Sequence, residues 1–282
     1  MKLGVNMFIW TAEFSAAHLD MLPRIKEHGF DGIEIPLFDP ANFPAARIRE
    51  GLAAYGLECT VCSIIPEGKS LISEDAGVRK RTRQHLRDTI QAAADAGATL
   101  VDGPLYCPVR YLPGRRRTLD EWLWTIEGYQ SVTETLDACN VTLAIEPLNR
   151  FETYFLNTAA DAAALCDEVR HPRVGVAFDT FHANIEEKNL PDACRRIGSH
   201  LKHVQISEND RGTPGSGHTD WMGILRALRE IGYDAWLTIE SFGPSLGAFS
   251  AAVAIWRDIE PTPDRIAFDG VKFLRQALAS LG

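Results

Sequence analysis

A chain of 282 residues with 45% hydrophobic and 24% charged side chains has the composition of a soluble globular protein, which excludes extensive disorder. No apolar run approaches the roughly 20 residues of a membrane span. The formal net charge of −9 argues against a nucleic-acid partner, whose phosphates call for clustered Lys and Arg.

The opening MKLGVNMFIW enters a strand-like pattern without a basic leader and cleavage site, so the chain is read as an intact cytoplasmic protein. Phe8 and Trp10 fall at the expected end of this first strand, where they either line a pocket or pack a core. HGFDGIEIP (28–36), YGLECTVCS (55–63), AGATLVDGPLY (96–106) and IGYDAWLTIE (231–240) then repeat one pattern. Each has a helix-ending Gly, a short link and an apolar run, which reads as helix, left-handed cap, buried strand. CNVTLAIEP (139–147) and HPRVGVAFD (171–179) do the same with Asn140 or a Pro as the breaker. Adding LGVNMFIW and LKHVQIS makes eight strands.

Helical periodicity lies between them, in FPAARIREGLAAY, VRKRTRQHLRDTIQAAADA, LDEWLWTIEGYQSVTETLDA and TAADAAALCDEV, with Thr158 and Asp161 as a capping box. DWMGILRALREI, with Asp220 as N-cap, and VKFLRQALASL follow. Eight strands alternating with helices predict a single (β/α)8 TIM barrel over residues 1–282. An open doubly wound sheet would more often carry a Gly-rich phosphate fingerprint after its first strand, and NMFIWTAEF has none.

Cys59 and Cys62 share a strand-like run, where positions three apart point to opposite faces; this disfavours redox or metal use and leaves reduced, buried thiols as the expectation. Arg115, Arg116 and Arg117 sit in a Pro/Gly loop and read as a solvated loop or a subunit contact rather than an anion site. The segments leaving the strands, 63–77, 105–118 and 207–220, are long and rich in Gly, Pro and charge. In a barrel they gather at the C-terminal face, where active sites are built.

Three apolar runs end on a carboxylate at that face: Glu146, Asp179 and Glu240. Buried carboxylates crowded together repel unless a cation joins them or protons are shared. Mostly oxygen donors point to Mn2+ or Mg2+, with Co2+ possible. The seventh strand should supply a fourth ligand. His203 is the stronger ligand by chemistry, whereas Gln205 lies nearer the strand's C-terminal end, and geometry favours Gln205 with His203 one layer deeper. His182 and Arg211 are loop residues that either contact a substrate or face water, and His218 precedes a helix start as a cap neighbour.

The motifs EPLNRFE (146–152) and DTFHANIEE (179–187) resemble the ketose 3-epimerases, the D-tagatose and D-psicose 3-epimerase group of the xylose-isomerase-like sugar isomerases. Weaker matches in NMFIW, DGPLY, SENDRGTPG, TIESF and IWRDI extend the resemblance nearly end to end. It implies a (β/α)8 barrel holding one divalent metal, most simply Mn2+, on Glu146, Asp179, Gln205 and Glu240. It further implies Glu146 and Glu240 as the acid/base pair acting through a metal-stabilised enediolate, and Glu152, His182 and Arg211 as contacts to a sugar substrate. A homodimer or higher oligomer is implied as well. One departure stands out: the family's ligating His falls on Gln205. This substitution leaves open a superfamily lyase using the same proton abstraction, such as an inosose-type dehydratase or the α subunit of a C-glycoside deglycosidase with a second kind of subunit. A nucleic-acid enzyme of the endonuclease IV kind would need many more strand-end histidines, and a non-catalytic binding barrel would not need the paired glutamates.

Overall fold

The computed structural model describes residues 1–243 and 247–281. Eight parallel strands close into a barrel in sequential order: β1 (Lys2–Asn6), β2 (Gly32–Pro36), β3 (Glu58–Cys62), β4 (Leu100–Gly103), β5 (Thr142–Ile145), β6 (Val174–Asp179), β7 (Leu201–Ile206) and β8 (Trp236–Ile239), with β8 pairing back onto β1. The expected (β/α)8 architecture is therefore present. Helices pack outside it: α1 (Leu22–Glu27), α2 (Ala45–Tyr55), α3 (Ala76–Asp95), α4 (Leu119–Gln130), α5 (Thr133–Cys139), α6 (Ala159–Val169), α7 (Thr180–Glu186), α8 (Leu190–Ile197), α9 (Trp221–Glu230), α10 (Ala248–Ala252) and α11 (Pro263–Ser280).

The repeated helix stops work as their composition dictates. Gly29, Gly56, Gly97 and Gly232 all take positive φ, and Asn140 does so at φ 55°. Before β6 the left-handed residue is Arg170, at φ 55°, rather than a proline-made break. The N-caps of α6 and α9 are Thr158, accepting from Asp161 N, and Asp220, accepting from Gly223 N. Cys59 and Cys62 are buried and unpaired by disulfide, and burial pushes the Cys59 thiol up to about 12.

Two expectations on local structure are corrected. The long helical run 119–138 breaks at Ser131, whose hydroxyl bonds back to the Gly128 carbonyl and whose own carbonyl is taken by the Arg87 guanidinium. β1 ends at Asn6, not at Trp10, because the Asn6 side chain accepts from Phe8 N and caps a 3-10 turn over Met7–Ile9. That turn aims Phe8 at the barrel mouth, while Trp10 packs on Phe268 and donates to Asp264.

Barrel interiors of this kind are usually filled by Val, Ile and Leu. Here a small apolar cluster of Leu100, Ala144 and Ala177 is joined by Glu34, Thr60, Asp102, His203 and Thr238, all almost fully buried. The mouth is held in register by Gly103. It sits at φ 127°, its carbonyl accepts from Glu146 N at 2.9 Å, and a Cβ there would lie 2.0 Å from the Ser63 carbonyl oxygen. Gly103→Ala is expected to destabilise the barrel by about 3 kcal/mol through the left-handed backbone and the clash together. The check is the midpoint of urea unfolding, and an unchanged midpoint would contradict this account of β4.

Candidate active site

The strand ends bring the expected groups to one mouth. Glu146 is the first residue past β5, with Pro147 stopping further pairing. Asp179 closes β6 and doubles as the N-cap of α7, accepting from Phe181 N at 2.6 Å. Gln205 lies in β7 in register with Asp179 and Thr238. Glu240 follows β8, its backbone N–H bonded to the Ile206 carbonyl at 3.0 Å. All four are buried.

They face a cavity of about 300 Å³ with two unlike walls. One side presents Glu146, Glu152, His182, Gln205, Arg211 and Glu240, and the other Phe8, Phe38, Leu148, Val109, Phe242, Phe249 and Val253. This volume is at the small end of ligand pockets.

The polar wall is electrostatically unbalanced. Arg211 donates from one nitrogen to Asp179, Glu240 and the Ser207 hydroxyl, each at 2.8 Å. Among the described residues Glu146 has no such donor within hydrogen-bond range; His182 Nε2 stands 3.6 Å from it. Burial, and then the charges of Glu240 and Asp179, push the Glu146 carboxyl well above its ordinary range. Glu240 is also pushed well up, by burial first, despite the opposing Arg211. Burial would raise Asp179 too, but Arg211 and His182 outweigh it and hold that group below the usual range. Three carboxylates less one guanidinium leave two negative charges when all are ionised.

A divalent cation matches that remainder, and the donor set fits one. Ligand atoms of Glu146, Asp179 and His182 lie within 4.8 Å of one another. The Gln205 side chain gives a second, independent indication. Its Nε2 donates to Glu240 at 2.9 Å and to Glu34 at 3.3 Å, while its Oε1 is buried with no partner among the described residues. A buried amide oxygen left unpaired is costly, and a cation would satisfy it. His203, the competing candidate on β7, lies deeper and is fully buried, with its Nε2 2.7 Å from Glu34.

His182 is positioned for a different task. The Asn149 backbone N–H donates to Nδ1 at 3.1 Å, which leaves the ring proton on Nε2. Nε2 then stands 3.2 Å from an Arg211 nitrogen, two donors with no acceptor between them. Burial, with the Arg211 charge, lowers the His182 pKa and keeps the ring neutral, against the opposing pull of Asp179. An oxygen of a bound molecule placed beside both donors would accept from each. Glu152 borders the same space, fixed by Asn149 Nδ2 at 2.9 Å.

Several supporting residues escaped the sequence reading. Glu208, fully buried, accepts from the backbone N–H groups of Asn209, Gly215 and Thr219 and from Trp221 Nε1, and so ties together the loop that carries Arg211. Asn6 and Glu34 lie beneath Glu240 and Gln205. Glu34 had a legible signal, a carboxylate inside the apolar run GIEIP, the same signature that singled out Glu146. The basic run is not an anion site: Arg115 pairs with Glu121 at 2.7 Å and Arg117 with Asp161 at 3.0 Å. His218 is exposed, its backbone N–H bonded to Asn209.

Residues 22–277 match the family model described as a xylose isomerase-like TIM barrel. The chain is 36% identical to a probable ketose 3-epimerase of Synechocystis sp., over 98% of this chain and 96% of that protein. It is 31% identical to a D-psicose 3-epimerase of Ruminiclostridium cellulolyticum, over 100% and 96% of the two. The crystal structure of a D-allulose 3-epimerase from Methylomonas sp. in complex with D-allulose superposes with a TM-score of 0.92 at 26% identity, covering 98% of this chain and 97% of that one. With its closed eight-stranded barrel and the acidic mouth described above, the chain belongs to the xylose isomerase-like TIM-barrel family and, within it, to the ketose 3-epimerase group of sugar isomerases.

Proposed function

We propose that the cavity epimerises a free ketose at C3, with Glu146 and Glu240 as the two proton-transfer groups. The observation that carries the reading is the pair itself. Both carboxyls are buried and pushed well above the ordinary carboxylate range, so each holds a proton more readily than a solvated glutamate does. They come from β5 and β8, three staves apart around the closed barrel, and so approach the cavity from well-separated directions. A base on one face of a carbon and an acid on the other invert its configuration. The names of the relatives support epimerisation over elimination, and the D-allulose bound by the Methylomonas enzyme supports an unmodified ketose.

A divalent cation, Mn2+ by the donor set or else Mg2+ or Co2+, would be held by Glu146, Asp179, Gln205 and Glu240 and would supply Lewis-acid stabilisation to the substrate oxygens. His182 Nε2 and Arg211 donate to an oxygen of the sugar and fix which carbon faces the glutamates. Glu152 accepts from a hydroxyl beside them. The aromatic wall of Phe8, Phe38, Phe242 and Phe249 excludes water from the carbon acid. Arg211 keeps Glu240 in place by bonding its second oxygen, Oε2.

The direct test is incubation with Mn2+ and D-fructose, D-tagatose or L-ribulose. A C3 epimer of at least one is expected, and metal-loaded protein that turns over none of them contradicts the reading. Glu146→Gln and Glu240→Gln are each expected to lower kcat by about 10²- to 10⁴-fold while sugar binding persists. In D2O, each variant should lose C3 proton exchange for the ketose whose C3 proton faces the missing glutamate and keep it, without inversion, for the epimer that faces the remaining one. Full turnover in either variant would remove that glutamate from the proton path.

Cation affinity should depend on pH with a defined sign. The raised Glu146 and Glu240 groups hold protons that must leave before the carboxylates can ligate, so affinity weakens as pH falls through their raised pKa values. Calorimetry in two buffers of different ionisation enthalpy should show protons released on Mn2+ binding; no release would mean both groups are already ionised.

A further inference from the structure

Beneath the mouth lies a second layer of polar groups, of which only His203 was anticipated from the sequence. Glu34 is fully buried and accepts three hydrogen bonds, from Asn6 at 2.9 Å and Gln205 at 3.3 Å on one oxygen and from Thr60 at 2.8 Å on the other, which also lies 2.7 Å from His203 Nε2. Asp102 lies within 4.8 Å of the Glu34 and His203 ligand atoms, with neither of its oxygens hydrogen-bonded among the described residues. Three acidic and imidazole groups at such spacing could be taken for a second ion site. The engagement of Glu34 argues otherwise: both its oxygens are already occupied by donors, and His203 contacts it directly.

A glutamine differs from a histidine as a metal ligand in one decisive way. Its side-chain amide has two nearly isosteric ends, and only the oxygen can bind a cation. With the amide turned over, Gln205 would aim an NH2 group at the cation and repel it. The orientation must therefore be set from outside the amide. Glu240 accepts one N–H of Gln205 and Glu34 accepts the other, which directs Oε1 away from both. Asn6 is locked by its own bond to Phe8 N, and its NH2 group braces Glu34 and Glu240 together at 2.9 and 3.2 Å.

We infer that Glu34 is a positioning residue that makes Gln205 a competent cation ligand, and that the inner layer supports one ion at the mouth without binding an ion of its own. This rests on the cation site proposed above. It assigns the layer beneath a role specific to a chain with glutamine, not histidine, at position 205.

The experiment is a double-mutant cycle read by Mn2+ affinity and stoichiometry, using calorimetry and the electron paramagnetic resonance of free Mn2+. Wild type should bind one Mn2+ per chain. Glu34→Met, which keeps the side-chain length and removes the acceptor, is expected to weaken binding by about 10- to 100-fold, as loss of an outer-shell partner does. Gln205→Met should also weaken binding. Adding Glu34→Met to Gln205→Met should change the affinity by no more than about twofold, the additivity error for sites that act only through each other's missing group. Should Glu34→Met not fold, Glu34→Leu takes its place in the same cycle, since it too offers the Gln205 amide no acceptor.

Wild-type protein that binds no Mn2+ overturns the proposed cation site and this inference with it. Binding that survives Glu34→Met intact, or that falls by the same factor with and without Gln205, overturns this inference alone. Two Mn2+ ions per chain, the second lost in Glu34→Met, would make the inner layer an ion site and equally overturn it.

Discussion

The structure is organised around a repulsion. Glu146, Asp179 and Glu240 are brought to one mouth by strands that close into a barrel, and each is removed from water by the packing that makes the barrel stable. Desolvated carboxylates so close together cannot all keep their charge without a positive partner. Arg211 supplies one positive charge, on Asp179 and Glu240, and leaves Glu146 without a donor. The fold therefore maintains a site that gains from binding either protons or a cation.

The loop elements can be understood as the means of holding that condition. Glu208 collects three backbone N–H donors from its own loop and the Trp221 indole N–H from α9, and so fixes the turn on which Arg211 takes φ 66°. The Ser241 hydroxyl donates to the Arg211 carbonyl, and the Ser207 hydroxyl joins Arg211 to the Glu240 backbone. Asn149 fixes both His182 and Glu152. A cluster of costly charges is thus braced by groups whose own hydrogen bonds are complete, which is the usual way a preorganised site is kept from relaxing.

Much of this was legible in the chain because it depends on local rules. Helix-ending glycines and a two-residue side-chain period were enough to count eight strands and to place Gln205 nearer the mouth than His203. The EPLNRFE and DTFH motifs led to the family that the relatives then showed. What escaped was set by distant partners. The break at Ser131 depends on Arg87, and the end of β1 on a side-chain cap at Asn6 that competes with extension. The inner layer of Glu34, Asp102 and His203 joins β2, β4 and β7, and although Glu34 and His203 stand out singly, no pattern within one strand shows that the three meet.

The glutamine at position 205 shows how such a layer can matter. An imidazole offers a cation either of two nitrogens and can choose its tautomer to suit. An amide has one usable end and cannot interconvert its ends without breaking the bonds that hold them. Exchanging the first for the second at a barrel mouth moves the burden of orientation from the ligand to whatever lies behind it. In this chain that is Glu34, whose other oxygen stands 2.7 Å from Nε2 of His203, the histidine left one layer below. Burial would raise the Glu34 carboxyl, yet the contact with His203 outweighs it and holds the group below its ordinary range, keeping it an acceptor for the amide above. The imidazole on β7 thus remains coupled to the mouth through a carboxylate and an amide, without touching the cavity itself.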